Sequence, residues 1–350
     1  MRRQLALAAS LFALVATAEP KVKWEAGTGC DQLATPVVSE KSVFVLASRT
    51  PPPDGVADGV LKAFDLETGK ERWSVATQGG TQGPATDGDV VAFVEGWTTL
   101  EGNTSSLTAV VAKTGERLWS TAVGGGQGDF RSTRAPATGG GRVFCAVHGG
   151  LAAFDARTGK EAWRVKEAEA VYPSPAAGGA VVIYGRKNAL TAVDASTGKA
   201  KWTYRTEGET YGLSLLGSLA IATGEKGTIV ALDAATGDLR WALGGESGAT
   251  ARAWGMSVAW INKGMTHVVD SASGKETAAF HSVLHEAGGF GLRLDHEGPL
   301  VGCDMSTGDE VWRATLPSRP SLPAVAARDV LILACQDGQV RAVTLPSRAK

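Results

Sequence analysis

The stretch LKAFDLETGKERW, from Leu61 to Trp73, contains the pattern from which the fold of this chain can be derived. Its first half alternates apolar and polar residues, as a half-buried β-strand does. Asp65 and Thr68 can bond the nearby backbone, and Gly69 accepts a positive φ angle, so this part has the chemistry of a tight turn. Trp73 lies on the segment that follows the turn. The stretch therefore predicts a β-hairpin that ends on a strand containing tryptophan.

The same pattern, apolar-x-Ala-x-Asp-x-x-Thr-Gly-x-x-x-Trp, recurs along the whole chain. Its copies are LKAFDLETGKERW (61–73), LTAVVAKTGERLW (107–119), LAAFDARTGKEAW (151–163), LTAVDASTGKAKW (190–202), IVALDAATGDLRW (229–241), THVVDSASGKETA (266–278), LVGCDMSTGDEVW (300–312) and a truncated VRAVT (340–344). Val111 replaces the aspartate in the second copy, and the sixth copy lacks the tryptophan. This regular spacing is the signature of a repeat architecture.

A second candidate strand pair precedes most of these hairpins, for example in the segments 34–47, 84–95, 136–147 and 322–334. Four short antiparallel strands in roughly 40–45 residues are typical of a propeller blade. We call the strands of a blade A to D, from the ring centre outwards. The sequence therefore predicts an all-β fold, an eight-bladed β-propeller of four-stranded antiparallel blades.

The two ends of the repeat array complement each other. The last copy stops before its strand D, whereas VKWEAG (22–27) offers a strand with Trp24 and no strands A to C before it. Pairing these two segments completes the eighth blade and leaves no exposed sheet edge. A solenoid, the competing architecture, would instead need capping repeats at its ends.

The first residues are typical of a signal peptide, residues 1–18. Arg2 and Arg3 precede an apolar run, Leu5 to Val15, that is too short to span a bilayer. The alternative is a buried N-terminal helix. We expect residues 19–350 to form a single propeller domain in the periplasm or outside the cell, with no transmembrane segment. Thr28-Gly29-Cys30 resembles a lipid-attachment box, but charged residues separate it from the apolar run.

Charge and cysteine content restrict the partners and the chemistry. The chain has 35 basic and 36 acidic residues, too balanced for a protein that binds nucleic acid by neutralising phosphates. Its four cysteines are Cys30, Cys145, Cys303 and Cys335. The expected compartment permits disulfides, and the sequence leaves any pairing open. The last three cysteines lie in apolar strands, where we expect them to be buried.

The repeated unit resembles that of the pyrroloquinoline-quinone-type propellers, and the resemblance covers nearly all of the chain after residue 18. It implies that the tryptophan of one blade packs against the alanine and glycine region of the neighbouring blade. The tryptophans to which this structural docking role falls are Trp24, Trp73, Trp119, Trp163, Trp202, Trp241 and Trp312. Their implied partners are Ala63, Ala109, Ala153, Ala192, Ala231 and Ala342, with Gly69, Gly115, Gly159, Gly198, Gly237, Gly274 and Gly308.

Two branches share this repeat: quinone-dependent alcohol and sugar dehydrogenases, and non-catalytic scaffolds typified by BamB in outer-membrane protein assembly. The dehydrogenases are implied to hold calcium with a Glu, an Asn and an Asp, and many have an adjacent-cysteine disulfide. This chain has no Cys-Cys pair, and its asparagines, Asn103, Asn188 and Asn262, form no evident ligand cluster. We expect a non-catalytic scaffold without catalytic residues, bound cofactor or metal. The alternative is a quinone- or sugar-binding propeller, possibly an enzyme.

Other candidate chemistry is sparse. His281, His285 and His296 lie close in sequence. The segment shows no helical pattern that would bring two imidazoles onto one face, so we expect exposed loop histidines rather than metal ligands.

A binding surface is expected on the face that carries the B–C and D–A connections, opposite the C–D turns. Three of these connections are long, at 48–59, 95–106 and 121–135, and variable loops on a rigid scaffold often bind partners. Tolerated surface insertions give the same pattern. Residues just before the innermost strands, Gln82, Arg134, Tyr172, Tyr211, Arg252 and Phe290, are expected to surround the central mouth.

Aromatic side chains next to arginine are typical of binding surfaces. The residues that we predict to contact a partner are Trp97, Phe130, Arg131, Arg134, Tyr172, Tyr211, Arg252 and Trp254. We expect the partner to be a protein of the cell envelope and the chain to be a monomer.

Overall fold

The computed structural model describes residues 19–50, 58–80, 82–99, 102–124, 134–168, 171–246, 250–254, 256–281, 285–294 and 299–346. For residues 97–99, 102–104, 250, 252–254 and 322 only the backbone is described. The expected signal peptide, residues 1–18, lies outside these ranges and stays a prediction.

Each copy of the repeat forms the two outer strands of a blade and the tight turn between them. In the first copy, one carboxylate oxygen of Asp65 accepts the N–H of Thr68 at 3.0 Å and its hydroxyl at 2.9 Å. Gly69 donates its N–H to the carbonyl oxygen of Asp65 at 2.9 Å and has a φ angle of +70°. This left-handed conformation favours glycine, which explains the glycine of the motif.

The strands are numbered in chain order, and β1 (Val22–Gly27) is separated in sequence from the rest of its blade. The strands of blades 1 and 2 are β2 (Gln32–Leu33), β3 (Val37–Val38), β4 (Ser42–Ser48), β5 (Gly59–Asp65) and β6 (Glu71–Thr77), then β7 (Ala85–Thr86), β8 (Val90–Thr99), β9 (Gly102–Val111) and β10 (Arg117–Gly124). Both β2 and β3 pair with β4, so strand A of blade 1 is divided in two.

The next three blades have four consecutive strands each. Those of blades 3 and 4 are β11 (Ala137–Gly139), β12 (Arg142–Val147), β13 (Gly150–Asp155), β14 (Glu161–Lys166), β15 (Ala176–Gly178), β16 (Val181–Arg186), β17 (Ala189–Asp194) and β18 (Ala200–Arg205). Those of blade 5 are β19 (Thr210–Leu216), β20 (Leu219–Gly224), β21 (Ile229–Asp233) and β22 (Leu239–Leu243).

The remaining strands form blades 6 to 8. Those of blades 6 and 7 are β23 (Thr250–Trp254), β24 (Ser257–Asn262), β25 (Met265–Asp270), β26 (Glu276–His281), β27 (His285–Ala287), β28 (Phe290–Leu294), β29 (Leu300–Cys303) and β30 (Glu310–Ala314). Those of blade 8 are β31 (Pro320–Ala327), β32 (Val330–Cys335) and β33 (Gln339–Thr344), and β1 completes it.

The blades form a closed ring. The A strands contact their neighbours in succession, β3 to β7 and onwards to β31, and β31 in turn contacts β3. The last sheet has the order β1-β33-β32-β31, with Trp24 opposite Ala342. The predicted eight-bladed β-propeller, closed by the N-terminal strand, is therefore confirmed.

The hydrophobic core lies between blades rather than within one blade. Val90 and Val94 of blade 2 share one buried cluster with Val143, Cys145 and Phe154 of blade 3. Strand β4 is buried at every position, because its alternate side chains face the blades on either side. In the part of the chain that the structure describes, no helix is long and apolar enough to cross a membrane.

Candidate partner-binding face

Indole rings join successive blades through two recurring contacts. The N–H of Trp119 in blade 2 donates to the carbonyl oxygen of Ala156 in blade 3 at 2.9 Å. A Cβ atom on Gly159 would lie 2.5 Å from Cγ of the same indole, so only glycine lets the ring approach. The corresponding indole-to-carbonyl bonds are Trp24 to Leu66, Trp73 to Ala112, Trp163 to Ala195, Trp202 to Ala234 and Trp241 to Ser271.

The motif alanines lie in a different place from the one that the resemblance implied. Ala109 is directly opposite Trp119 within the sheet of blade 2, and Ala153 is opposite Trp163 within blade 3. Each of these alanines is therefore paired with the indole of its own blade. The neighbouring blade contributes the turn glycine and a backbone carbonyl, which is a correction to the expected alanine contact.

Two junctions depart from the pattern. Phe280 compensates for the missing tryptophan of the sixth copy, since a Cβ on Gly308 would lie 2.4 Å from its Cγ. Trp312 packs within its own blade, because a Cβ on Gly302 would lie 1.9 Å from its Cε2 and Phe290 meets it edge-on at 5.7 Å. Trp312 was expected to dock on the next blade, whose truncated copy has no turn glycine. Phe290 was expected at the mouth but is buried at the start of β28, a B strand.

One of the three long connections is not a loop. Residues 95–99 and 102–106 form the far part of the β8–β9 hairpin, in which Glu95 pairs with Ser106 and Thr99 pairs with Gly102. The B and C strands of blade 2 are therefore longer than those of the other blades, which corrects the expected loop. Residues 51–57 and 125–133, the middle parts of the other two connections, lie outside the described residues.

A buried carboxylate supports the base of this hairpin. Glu95 is 5% exposed and accepts hydrogen bonds from the backbone N–H of Gln78 at 3.0 Å, the hydroxyl of Thr108 at 2.6 Å and the guanidinium of Arg117 at 3.0 Å. A buried charge needs such partners. Sequence reasoning missed this residue because its partners come from three separate segments.

The structure brings three of the predicted partner-binding residues together. The guanidinium carbon of Arg134 lies 4.0 Å from the centroid of the Tyr172 ring, within the range of a cation–π contact. Tyr172 meets Tyr211 edge-on, with ring centroids 6.1 Å apart. Arg134 and Tyr172 precede the A strands of blades 3 and 4. Tyr211 was expected to precede the A strand of blade 5 but is the second residue of that strand, β19, and its side chain is 46% exposed. We call these three residues the mouth patch.

The other predicted contact residues are less well defined. Phe130 and Arg131 lie outside the described residues, and Trp97 is described only as a backbone position on β8. Arg252 and Trp254 lie on β23 itself, where their side chains are not described. Arg252 was expected to precede the innermost strand of blade 6, and it lies within that strand instead.

Ionisable side chains lie on blades 3 to 5, the blades that contribute the mouth patch. Glu167 accepts the hydroxyl of Tyr184 at 2.6 Å and the guanidinium of Arg186 at 3.0 Å. Burial raises the pKa of Tyr184, and Glu167 raises it further. Desolvation also raises the pKa of Tyr211, with smaller contributions from Glu225 and Glu209. None of these acids was identified from sequence, because no motif or spacing relates them to Tyr184, Arg186 or Tyr211.

The histidine segment is more ordered than expected. His285 lies on β27, and its Nε2 is 3.0 Å from the carbonyl oxygen of Ala324 in blade 8. It is therefore a half-buried residue of an A strand rather than an exposed loop histidine. His281 ends β26 and is exposed, as expected, and His296 lies outside the described residues.

All four cysteines are free thiols. Cys145, Cys303 and Cys335 are buried, as predicted, and Cys30 is half-buried. Burial raises the pKa of Cys145 to about 12, so this thiol is a packing residue rather than a nucleophile.

Within the described ranges, no group of three or more histidine, cysteine, aspartate or glutamate side chains could hold a metal ion. A cavity of about 400 Å³ between blades 1 and 8 is lined by residues that include Cys30, Arg49 and Asp337. Asp337 is engaged there by the guanidinium of Arg341 at 2.6 Å and 2.9 Å.

The eight blades, their aspartate–glycine turns and their interblade indoles define a β-propeller of the pyrroloquinoline-quinone-type repeat class. The family model described as outer membrane protein assembly factor BamB matches residues 6–150, 103–258 and 147–319. The chain therefore belongs to the BamB family.

Individual relatives agree with this assignment over different lengths. The chain is 42% identical over 52 residues to BamB of Xanthomonas campestris pv. campestris, a match that spans 15% of this chain and only 13% of that relative. The crystal structure of BamB from Moraxella catarrhalis is similar over 95% of this chain and 100% of that one, with 15% identity and a TM-score of 0.53.

Enzymes share the fold as well. The quinohemoprotein alcohol dehydrogenase ADHIIG from Pseudomonas putida HK5 has a TM-score of 0.65 and 16% identity, over 95% of this chain and 77% of that one. At such low identities these structural similarities establish the fold alone.

Proposed function

We propose that this chain is a non-catalytic scaffold of the cell envelope that binds a protein partner and assists outer-membrane protein assembly. Membership in the BamB family supports this role. The observation that carries it in the molecule is the mouth patch, where Arg134, Tyr172 and Tyr211 from three blades form one continuous surface. Rigid aromatic side chains and arginine are the residues that dominate binding energy in interfaces.

The scaffold acts as a monomer in the periplasm after removal of residues 1–18. Attachment of a lipid at Cys30 is incompatible with the closed ring. Cleavage before Cys30 would remove β1, whose Trp24 bonds the carbonyl oxygen of Leu66 at 2.9 Å and completes blade 8.

Deletion of the gene in its host tests the role in assembly. The amounts of folded outer-membrane proteins should fall, and expression of the unaltered chain should restore them. Arg134→Gln and Tyr211→Ala variants should fold normally and restore them poorly. Arg157→Gln is the matched control, because Arg157 belongs to the same blade as Arg134 but lies in its C–D turn, on the opposite face. Unchanged outer-membrane protein levels after deletion would overturn the proposal.

The alternative from the sequence is a quinone- or sugar-binding propeller with dehydrogenase activity. Its test is direct: the purified chain is incubated with pyrroloquinoline quinone and calcium, then assayed for a shifted quinone absorbance and for dye reduction with alcohols and sugars. If the chain is a non-catalytic scaffold, we expect neither a shifted quinone absorbance nor dye reduction.

A further inference from the structure

Arg134 has a hydrogen-bonding group without a protein partner. Its Nε atom is buried and has no acceptor among the described residues. Its guanidinium lies on the face of Tyr172 at 4.0 Å. No carboxylate of the described residues forms an ion pair with it, in contrast to Arg117, which pairs with Glu95 at 3.0 Å, and Arg186, which pairs with Glu167 at 3.0 Å. A buried donor left unsatisfied costs about 1–3 kcal/mol, so the lack of a partner distinguishes Arg134 from these two paired arginines.

The ring beneath Arg134 is held in place by the fold. The backbone N–H of Tyr172 donates to the carbonyl oxygen of Gly185 at 2.9 Å. A Cβ on Gly185 would lie 2.1 Å from the carbonyl oxygen of Tyr172 and 3.2 Å from Cβ of Thr210. Blades 4 and 5 therefore meet closely at this point, and the platform under the guanidinium is formed before any ligand binds.

A second unpartnered donor lies beside this platform. Thr210 is 1% exposed, and its hydroxyl has no partner among the described residues. It directly precedes Tyr211, whose ring meets Tyr172 edge-on. Hydroxyl groups and a guanidinium are donors suited to an anionic oxygen group.

The charges near the mouth patch favour a ligand group with one negative charge over a ligand group with two. Glu167 is already neutralised by Arg186, whereas Glu209 and Glu225 act on Tyr211 from the other side. One unpaired arginine near two acids can bind a carboxylate, which carries one charge. A phosphate group carries up to two at neutral pH and would be repelled more strongly.

We propose that the mouth patch is a carboxylate-binding site, in which Arg134 grips an aspartate or glutamate side chain of an extended segment of the partner. The terminal nitrogens of the guanidinium offer donors in one plane, and the ring of Tyr172 lies 4.0 Å from the guanidinium carbon. This inference rests on the proposed scaffold function for its biological meaning, but the binding itself can be measured without a partner.

The probe is a fluorescently labelled peptide of alternating glutamate and serine, and its counterpart has glutamine in place of glutamate. The chain has a net charge of −1, so general electrostatic attraction does not explain binding of an acidic peptide. Fluorescence anisotropy should show binding of the glutamate peptide and weak or no binding of the glutamine peptide. Arg134→Gln should weaken the affinity by about tenfold or more, while Arg157→Gln should leave it unchanged.

A competition experiment shows whether the site prefers a carboxylate or a phosphate. Acetate should displace the glutamate peptide at lower concentration than inorganic phosphate does. Equal binding of the glutamine peptide, an unchanged affinity of Arg134→Gln at an unchanged melting temperature, or displacement by phosphate in preference to acetate would each overturn the inference. If the glutamate peptide binds but deletion of the gene leaves the amounts of outer-membrane proteins unchanged, the assembly role is wrong and the carboxylate site still stands.

Discussion

The indole N–H of Trp24 donates to the carbonyl oxygen of Leu66 at 2.9 Å, although the strand of Trp24 belongs to blade 8 and Leu66 follows strand C of blade 1. The indole also lies where a Cβ on Gly69 would come within 2.6 Å of its Cδ2. One side chain near the N-terminus therefore joins the last blade to the first.

Replacement of Trp24 should open this junction. Trp24 is 8% exposed, and removal of a buried tryptophan costs about 3–5 kcal/mol. We expect Trp24→Ala to lower the free energy of unfolding by an amount in that range, measured by urea denaturation of the chain without residues 1–18. Val22→Ala on the same strand, where the side chain is 37% exposed, is the control and should have little effect. A loss below about 1 kcal/mol for Trp24→Ala would contradict this account of ring closure.

A comparison of two glycines of blade 3 distinguishes the cost of backbone strain from the cost of a clash with the indole. Gly159 has a φ angle of +68° and Gly140 one of +60°, so alanine is strained at both positions. Only at Gly159 would the added Cβ also meet an indole, at 2.5 Å from Trp119, whereas nothing lies within 4 Å of it at Gly140. Gly159→Ala should therefore destabilise the fold by about 1–3 kcal/mol more than Gly140→Ala does. Equal thermal unfolding of the two variants would refute the close packing of the ring on this turn.

The hairpin of blade 2 should depend on Glu95. Glu95→Ala removes the acceptor for Gln78, Thr108 and Arg117 and should cost about 1–3 kcal/mol; partial exposure of Arg117 keeps the loss at the lower end. Glu116→Ala, at an exposed position of the same blade, is the control. Amide hydrogen exchange should speed up in 95–106 more than in β12. Uniform exchange in the variant would show that Glu95 does not hold the hairpin base.

The turn aspartates should make the fold sensitive to strong acid. Hydrogen bonds from Ser196 and Thr197 lower the pKa of Asp194 to about 2, and the guanidinium of Arg240 does the same for Asp233. An unfolded aspartate titrates near pH 3.9. Because the folded value is the lower one, the stabilisation is fully present above about pH 4 and is lost as the pH falls through about 2.

Asp194→Asn should therefore be less stable than the unaltered chain at neutral pH. Its free energy of unfolding should also fall less steeply between about pH 4 and about pH 2. Urea midpoints across this range measure the effect, with Asp58→Asn as a control at an exposed carboxylate outside the turns. Parallel curves for Asp194→Asn and the unaltered chain would show that this turn does not contribute to acid sensitivity.

Local chemistry explains why the blades could be predicted from sequence. The turn needs an acceptor such as Asp65 and a glycine such as Gly69 within a few residues, so each hairpin leaves a signature in contiguous sequence. The hairpin of blade 2 shows the limit of this reasoning. Its segment 95–106 is rich in glycine, threonine and serine, which indicated a loop, but pairing with the opposite strand makes it continuous with β8 and β9.

The candidate site was predictable only in part. Arg134 and Tyr172 could be placed near the mouth because strand order assigns them to the same face, although 38 residues separate them. Glu167 and Arg186 could not be found in this way, because the partners of each lie on other elements and no spacing relates them. Trp312 shows the same difficulty: its sequence matches the motif, but the next blade has no turn glycine to receive it.

The amino-acid sequence by itself determined the repeat, the outer hairpins of the blades, the number of blades and the pairing of the two ends, because turns and alternation act between residues close in the chain. Only the tertiary structure decided that Trp312 packs within its own blade while six other indoles meet a glycine of the next blade, that Phe280 substitutes for a missing tryptophan, and that Arg134 lies on Tyr172 with its Nε unpaired. These contacts depend on how neighbouring blades meet in space, which no local pattern specifies.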